Sequence, residues 1–325
     1  MMRRTLVALS VLASPVAVAA QPATTKLDAV AGIPKTDETT QTEDIHFKAG
    51  ADNRLTVPVR VSGAGPFQFL VDTGADRTAV SSQLVGKLGL VAGQRASVHS
   101  VTGVTSVSTA NVPDLELTRK PFKVIDAPVL DSANMGADGI LGVDSLRSKR
   151  VLFDFENQTL SIVPSAVSDF RDEPGTIVVQ ARRKNGRLIV TDAAANGHDV
   201  TVVIDTGAQI SIGNEALRDE LVGRGLVDPA QKIELQSVTG ALLSGDYMFV
   251  REMEIGGLMV KNLAIVFADA HTFHELKLDR RPALLLGMNA IRAFKKVSID
   301  FASQKFRVVL PESSELDVRL AAAGL

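Results

Sequence analysis

The chain has 325 residues, enough for one large core or two smaller ones, and 35 basic residues stand against 37 acidic ones. That balance offers no general basic surface for nucleic acid. Aromatic residues make up only 4%, with no Trp and a single Tyr, which argues against stacking platforms for bases or sugars. Without Cys there is no disulfide framework and no lipid attachment at a cysteine.

Residues 1–20 read as a secretory signal. Arg3 and Arg4 precede the apolar stretch Leu6 to Ala13, and the small residues Ala17, Val18, Ala19 and Ala20 follow. Pro15 interrupts the segment, which is short for a spanning helix. Cleavage after Ala19 or Ala20 is expected, giving a periplasmic or secreted protein with no membrane contact beyond the signal itself. Residues 21–44 are rich in Thr, Ala and acids and read as a disordered leader. From Ile45 onward short β-type runs alternate with Gly, Pro, Asn and Asp, so an all-β protein is expected. Helical patterning is confined to Ser82 to Leu90, Asn214 to Leu221 and Met288 to Phe294. The stretch from Ser165 to Thr176 lacks periodicity. It divides the chain into halves at 45–166 and 177–312, joined by a linker at 167–176 and followed by a tail at 313–325.

The halves repeat one another. Asp72-Thr73-Gly74 ends one apolar run, and Asp205-Thr206-Gly207 ends another. Arg54-Leu55-Thr56-Val57 and Arg187-Leu188-Ile189-Val190 precede these turns at equal distance. Ser100-Val101-Thr102-Gly103 returns as Ser237-Val238-Thr239-Gly240, and Ile140-Leu141-Gly142 returns as Leu285-Leu286-Gly287, with Asp144 or Asn289 two residues on. Val151 to Phe155 returns as Val297 to Phe301, each opening a hairpin through Gln158 or Gln304. The offsets between copies run 133, 133, 137, 145 and 146, which places a late insertion around His271 to Pro282 in a loop. Five matched elements in one order define two related β-domains in tandem.

A carboxylate at the end of an apolar strand is costly to bury alone. If the halves meet about a two-fold axis, Asp72 and Asp205 face each other there. Two close carboxylates cannot both ionise cheaply, so they share a proton. The ionised partner can then take a proton from water while the neutral one hydrogen-bonds a carbonyl under attack. Gly74 and Gly207 permit the tight turns, and the hydroxyls of Thr73 and Thr206 can bond across the axis.

The run Phe69-Leu70-Val71-Asp72-Thr73-Gly74-Ala75-Asp76-Arg77-Thr78 resembles the active-site motif of retroviral-type aspartic proteases. Asp138-Gly139-Ile140-Leu141-Gly142 is similar to the later motif of pepsin-type enzymes. The resemblance spans roughly Ile45 to Pro311. It implies a single-chain, two-domain, retropepsin-like aspartic endopeptidase with two pseudo-symmetric β-barrel-like domains and a cleft between them. It further implies Asp72 and Asp205 as catalytic residues, supported by Thr73, Gly74, Thr206 and Gly207. With both aspartates in one chain, a monomer acting on polypeptides is expected, without cofactor or metal. Flap hairpins are expected at Ser97 to Val107 and Glu234 to Ser244, with Val101, Thr102, Gly103, Val238, Thr239 and Gly240 touching substrate.

The chain departs from the family in two ways. Val143 and Met288 stand where retroviral enzymes place an Arg after the bracing Gly, which leaves Asp76 without its usual partner. Ala75 and Ala208 stand where pepsins place a hydroxyl that donates to the carboxylate. Loss of that hydrogen bond lets the pKa rise, so activity nearer neutral pH is expected.

Other residues read as structural. Asp154 and Asp300 suggest turn or surface polarity, and Asp138 a structural role. His271 and His274 lack the third and fourth ligands of a metal site, and His99 reads as a solvated strand position. Two further function classes compete with a peptidase. A two-carboxylate glycosidase needs well-separated acids, and a non-catalytic pseudoprotease would bind extended peptides in the cleft or along a strand edge.

Overall fold

The computed structural model describes residues 55–117, 122–167, 169–170, 173–184, 186–224 and 231–311, with the backbone of 44–46 and 48–49. The expected signal, nearly all of the leader, Arg54 and the tail lie outside the described residues.

Each half is built round one crossed arrangement of strands that are buried where they meet. In the first, Ala64–Val71 runs parallel to Gly139–Leu141, with Leu70 opposite Ile140, and Gly139–Leu141 is antiparallel to Ala79–Ser81. In the second, Thr201–Ile204 runs parallel to Ala283–Leu286, with Val203 opposite Leu285, which is antiparallel to Ser211–Gly213. Strands covered on both faces need continuous apolar runs, and Phe69-Leu70-Val71 and Val202-Val203-Ile204 supply them. These strands belong to an eight-stranded sheet in the first half and a ten-stranded sheet in the second.

A third sheet joins the halves. Its six strands run in the order Asp44–His46, Thr159–Pro164, Lys149–Asp154, Lys296–Asp300, Lys305–Val309 and Thr176–Gln180. The repeated segments Val151–Phe155 and Val297–Phe301 therefore pair with each other at its centre. Leu152 lies opposite Ser298, and the offset of 146 makes these two positions equivalents, so the pseudo-two-fold axis passes through that pair. The flanking hairpins turn at Gln158 (φ 54°) and Gln304 (φ 56°), both in the left-handed region. One hydrophobic core, including Phe153, Phe301 and Phe306, runs through both halves beside this sheet.

The three helical stretches form as short helices. Ser82–Leu88 is capped by Ser81, whose Oγ accepts from Leu84 N at 3.0 Å, and ends at Gly89 with φ 60°. Glu215–Gly223 is capped by Asn214, and Met288–Ile291 follows the bracing Gly287.

Asp300 is not surface polarity. It is fully buried, with Arg150 Nη2 donating to its Oδ2 at 2.8 Å and Ser165 Oγ to Oδ1 at 2.7 Å. It also turns the hairpin by accepting from Ala302 N and Ser303 N. Burial alone would raise its pKa, but bonds from Ser303, Ser165 and Arg150 outweigh it and hold the carboxyl at about 2. Asp154 keeps the simpler role, accepting from Asn157 N at 2.8 Å in the matching turn.

Candidate active site

The two Asp-Thr-Gly turns meet on the pseudo-axis. Asp72 N donates to Leu141 O and Asp205 N to Leu286 O, both at 3.0 Å, so the bracing strands fix where each turn begins. Thr73 N donates to Thr206 Oγ1 at 3.0 Å, and Thr206 N donates to Thr73 Oγ1 at 3.0 Å. Each hydroxyl in turn donates a hydrogen bond, Thr73 to Ile204 O at 2.9 Å and Thr206 to Val71 O at 2.7 Å. Every donor in this buried ring has an acceptor in the opposite half, the cross-axis bonding expected from the two hydroxyls.

The turns are so close that only glycine fits beside the acids. A Cβ on Gly74 would lie 2.5 Å from Asp205 Oδ1, and one on Gly207 would run into the Asp72 carboxylate. Within its own turn Asp72 Oδ1 accepts from Gly74 N at 2.8 Å and Ala75 N at 3.0 Å, and Asp205 Oδ1 accepts from Gly207 N at 3.0 Å and Ala208 N at 3.3 Å. Burial and then the Asp205 charge push Asp72 up to about 7, against the pull of the Gly74 and Ala75 amides and of Arg187. Burial also raises Asp205, opposed first by Arg187. Both carboxyls are thus raised by burial, and Arg187, which lowers each of them, is the first influence opposing burial at Asp205.

Behind each turn lies the same polar brace. Gly142 N donates to Thr78 Oγ1, which donates to Asp144 Oδ1 at 2.7 Å. Gly287 N donates to Ser211 Oγ, which donates to Asn289 Oδ1 at 2.8 Å. Gly142 and Gly287 pass directly over the backbone of Arg77 and of Ile210, where a side chain has no room. Asp138 is structural, its Oδ2 accepting from Gln68 N at 2.8 Å.

Asp76 does have a partner, and it comes from the other half. Arg187 Nη1 stands 3.2 Å from Asp76 Oδ1, while Arg187 Nε donates to Gly74 O at 2.8 Å. A cation from the second half thus takes the place expected of an Arg after the bracing Gly; Val143 and Met288, which stand there, are buried. Arg187 was visible as part of a repeated Arg-Leu pair, but its role was not, because Gln209 replaces the second copy of Asp76.

A cleft of about 500 Å³ opens above the acids, with apolar walls from Ala79, Leu130 and Ile140 on one side and Ile210 and Ile212 on the other. Both hairpins cover it. Ala96–Ser100 pairs with Gly103–Val107, and Gln231–Gln236 pairs with the start of Leu242–Ile255. The tips cross: Val101 packs on the core of the second half and Val238 on that of the first. Of the six flap positions singled out by sequence, Val101 and Val238 line the cleft. Thr102 instead ties the tips, its Oγ1 donating to Ser237 Oγ at 3.2 Å, while Thr239 bonds Ser237 within its own turn. Gly103 (φ 134°) and Gly240 (φ 85°) form the turns.

His99 keeps the exposed strand position expected of it, and it also lines the cleft and touches His271, 172 positions away. The expected loop insertion begins as the helix His271–Glu275, and His274 turns away to Asp269.

Paired Asp-Thr-Gly turns under two flaps, at the junction of two pseudo-symmetric β-domains, define an acid-protease architecture. Two family models match in tandem: a gag-polyprotein putative aspartyl protease over residues 57–148 and an aspartyl protease over residues 191–290. The chain belongs to the retropepsin-like aspartic proteases and is an aspartic-type endopeptidase, with polypeptides as substrates. No curated protein matches it.

Proposed function

We propose that Asp72 and Asp205 are the catalytic pair and that they hydrolyse peptide bonds through a water held between them. The observation carrying this reading is that each carboxyl lies against the glycine of the opposite turn, inside one cleft. One shared proton gives both partners their roles. The ionised carboxylate takes a proton from the water as its oxygen attacks the scissile carbonyl carbon, and the protonated carboxyl stabilises the developing oxyanion. The oxyanion takes the proton of the second carboxyl to give a diol, whose collapse breaks the C–N bond as the nitrogen accepts the proton taken from water and a diol hydroxyl returns its proton to the other carboxylate. An Asp72 pKa of about 7 supports catalysis close to neutral pH. The backbone amides of Ala75 and Ala208 reach the carboxylates, and their methyl side chains have no hydroxyl to add.

Apolar walls and crossed flaps suit an extended, partly apolar polypeptide segment. The N-terminal signal pattern supports limited processing of extracytoplasmic proteins by a periplasmic or secreted monomer. Among the described residues no helix is long and apolar enough to cross a membrane.

Peptide hydrolysis between pH 3 and 8 tests the chemistry. Asp72→Asn and Asp205→Asn should each lose about 10³-fold in rate, the scale of positioned acid–base catalysis. A statine-type mimic should inhibit the wild type. Peptide binding without cleavage at any of these pH values would favour a peptide-binding pseudoprotease instead. N-terminal peptides from envelopes of the wild type and an Asp205→Ala strain would identify the substrates.

A further inference from the structure

Each flap is fastened to the opposite half by side chains, and the two fastenings differ in chemistry. Gln236 of the second flap donates from Nε2 to Asn134 Oδ1 at 3.0 Å. The offset of 137 that relates Val101 to Val238 also relates His99 to Gln236, and Asn134 and His271 each lie in the short helix that faces the opposite flap. At that equivalent place His99 Nδ1 stands 3.0 Å from His271 Nε2 and 3.3 Å from Glu275 Oε2. The three donor atoms all lie within 4.8 Å of one another.

An amide pair satisfies itself, one group donating and the other accepting. The His–His–Glu set does not. The Nδ1 atom of His99 carries at most one proton and cannot give a full hydrogen bond to both neighbours, and each of the three side chains offers a ligand atom to the space between them. Two ligands each about 2.0–2.1 Å from a tetrahedral ion stand roughly 3.3 Å apart, close to the separations here. Two imidazoles and a carboxylate suit a borderline-soft divalent ion with a fourth position left open. The side chains of His99 and Glu275 are 41% and 42% exposed, which leaves an ion a route in from solvent.

We propose that His99, His271 and Glu275 bind a divalent transition-metal ion of the zinc class, which clasps the first flap onto helix His271–Glu275. The backbone is already docked there, with His271 N donating to Val101 O at 2.9 Å. A bound ion adds a cross-link between the halves at the mouth of the cleft, so the first flap opens less often and substrate entry slows. Metal binding does not depend on the identity of the catalytic pair.

The test is calorimetric titration of the purified full chain with zinc near neutral pH, together with hydrogen exchange of the amides at 96–107. One zinc per chain is expected, with slower exchange in the flap. Affinity should fall at least about tenfold in His99→Ala, in His271→Ala and in the near-isosteric Glu275→Gln, and hold in His274→Ala and His198→Ala. Asn134→Ala should loosen only the second flap and leave zinc affinity unchanged. Absence of saturable binding, or equal affinity in the three ligand variants, overturns the site. Binding without slower exchange at 96–107 overturns the clasp. Flap exchange that responds to pH but not to zinc would put a proton latch in place of the metal.

Discussion

In the second half the flap strand Gln231–Gln236 pairs along its whole length with a fourteen-residue strand, Leu242–Ile255, that continues into the ten-stranded sheet. In the first half Ala96–Ser100 and Gly103–Val107 pair only with each other, as a separate two-stranded sheet. The first flap is therefore held by its tip and by side chains, whereas the second is an extension of a sheet. Charge divides along the same line. Asp76 and Asp144 in the first half correspond to Gln209 and Asn289 in the second, and His99 corresponds to Gln236. What duplication kept equal is geometry: the Asp-Thr-Gly turns, the threonine ring and the bracing glycines. What diverged is electrostatics and the attachment of the flaps. Substitutions at symmetric positions should separate the two.

The largest effect is expected from the acidic pair itself, because its two members are geometrically equal and electrostatically unequal. The folded-state pKa of Asp72, about 7, lies above the ordinary value of 3.8. Its contribution to stability is therefore fully present below about pH 4. It is lost as pH rises from there through about 7, because the unfolded chain releases the proton first. That difference corresponds to about 4 kcal/mol between the extremes. Urea denaturation should show Asp72→Asn gaining on the wild type by up to that amount between pH 4 and pH 8. A constant difference across the range would mean that the pKa of Asp72 is not raised in the folded protein.

The threonine ring should behave symmetrically. Thr73→Val removes a donor to Ile204 O and leaves the buried Thr206 N without its acceptor; Thr206→Val does the mirror image at Val71 O and Thr73 N. Each should cost about 2–4 kcal/mol in chemical denaturation, one lost bond plus one unsatisfied buried donor. The two values should agree within about 1 kcal/mol. A large difference would show that one half holds the axis alone.

Much of this symmetric part could be read from sequence, and the reason is physical. A strand-end Asp, a turn Gly and a bonding Thr are local requirements, so duplication writes them twice at a constant offset. The asymmetric part depends on single residues brought together across the axis. Asp300 looked like surface polarity because Arg150, which makes its burial tolerable, stands 150 positions away on the facing strand. Arg187 had no visible partner because Gln209 breaks the repeat at the position of Asp76. The His99–His271 contact follows from flap crossing, which no local pattern encodes.

Arg187 tests the electrostatic half of the comparison. It is the first influence opposing burial at Asp205, and it also lowers Asp72. Arg187→Met should raise both pKa values and move the pH–rate profile to higher pH. It should lower kcat/KM about tenfold, roughly 1.4 kcal/mol, through loss of the Gly74 O and Asp76 contacts. Gln209→Met, at the counterpart of Asp76, should change neither the profile nor the rate by more than about twofold, as for a substitution that touches no ionised group of the pair. Equal effects from the two would contradict an electrostatic role confined to one side.

The smallest expected effect comes from exchanging the brace residues. Asn289 Oδ1 accepts from Ser211 N and Oγ, while its Nδ2 donates to Ala264 O at 2.8 Å. Asp144 Oδ1 accepts from Thr78 N, Thr78 Oγ1 and Ser145 N, so the work of Asp144 is done by an acceptor alone. Asp144→Asn retains an amide oxygen for those bonds and should cost less than about 1 kcal/mol. Asn289→Asp turns the donor toward Ala264 O into a second acceptor, so two oxygens face each other. About 1–2 kcal/mol should be lost at neutral pH, shrinking in acid as the new carboxyl is protonated and can donate again. The pH dependence of that small difference is its signature: the same brace tolerates an acid in one half and requires an amide in the other because only the second half uses the donor.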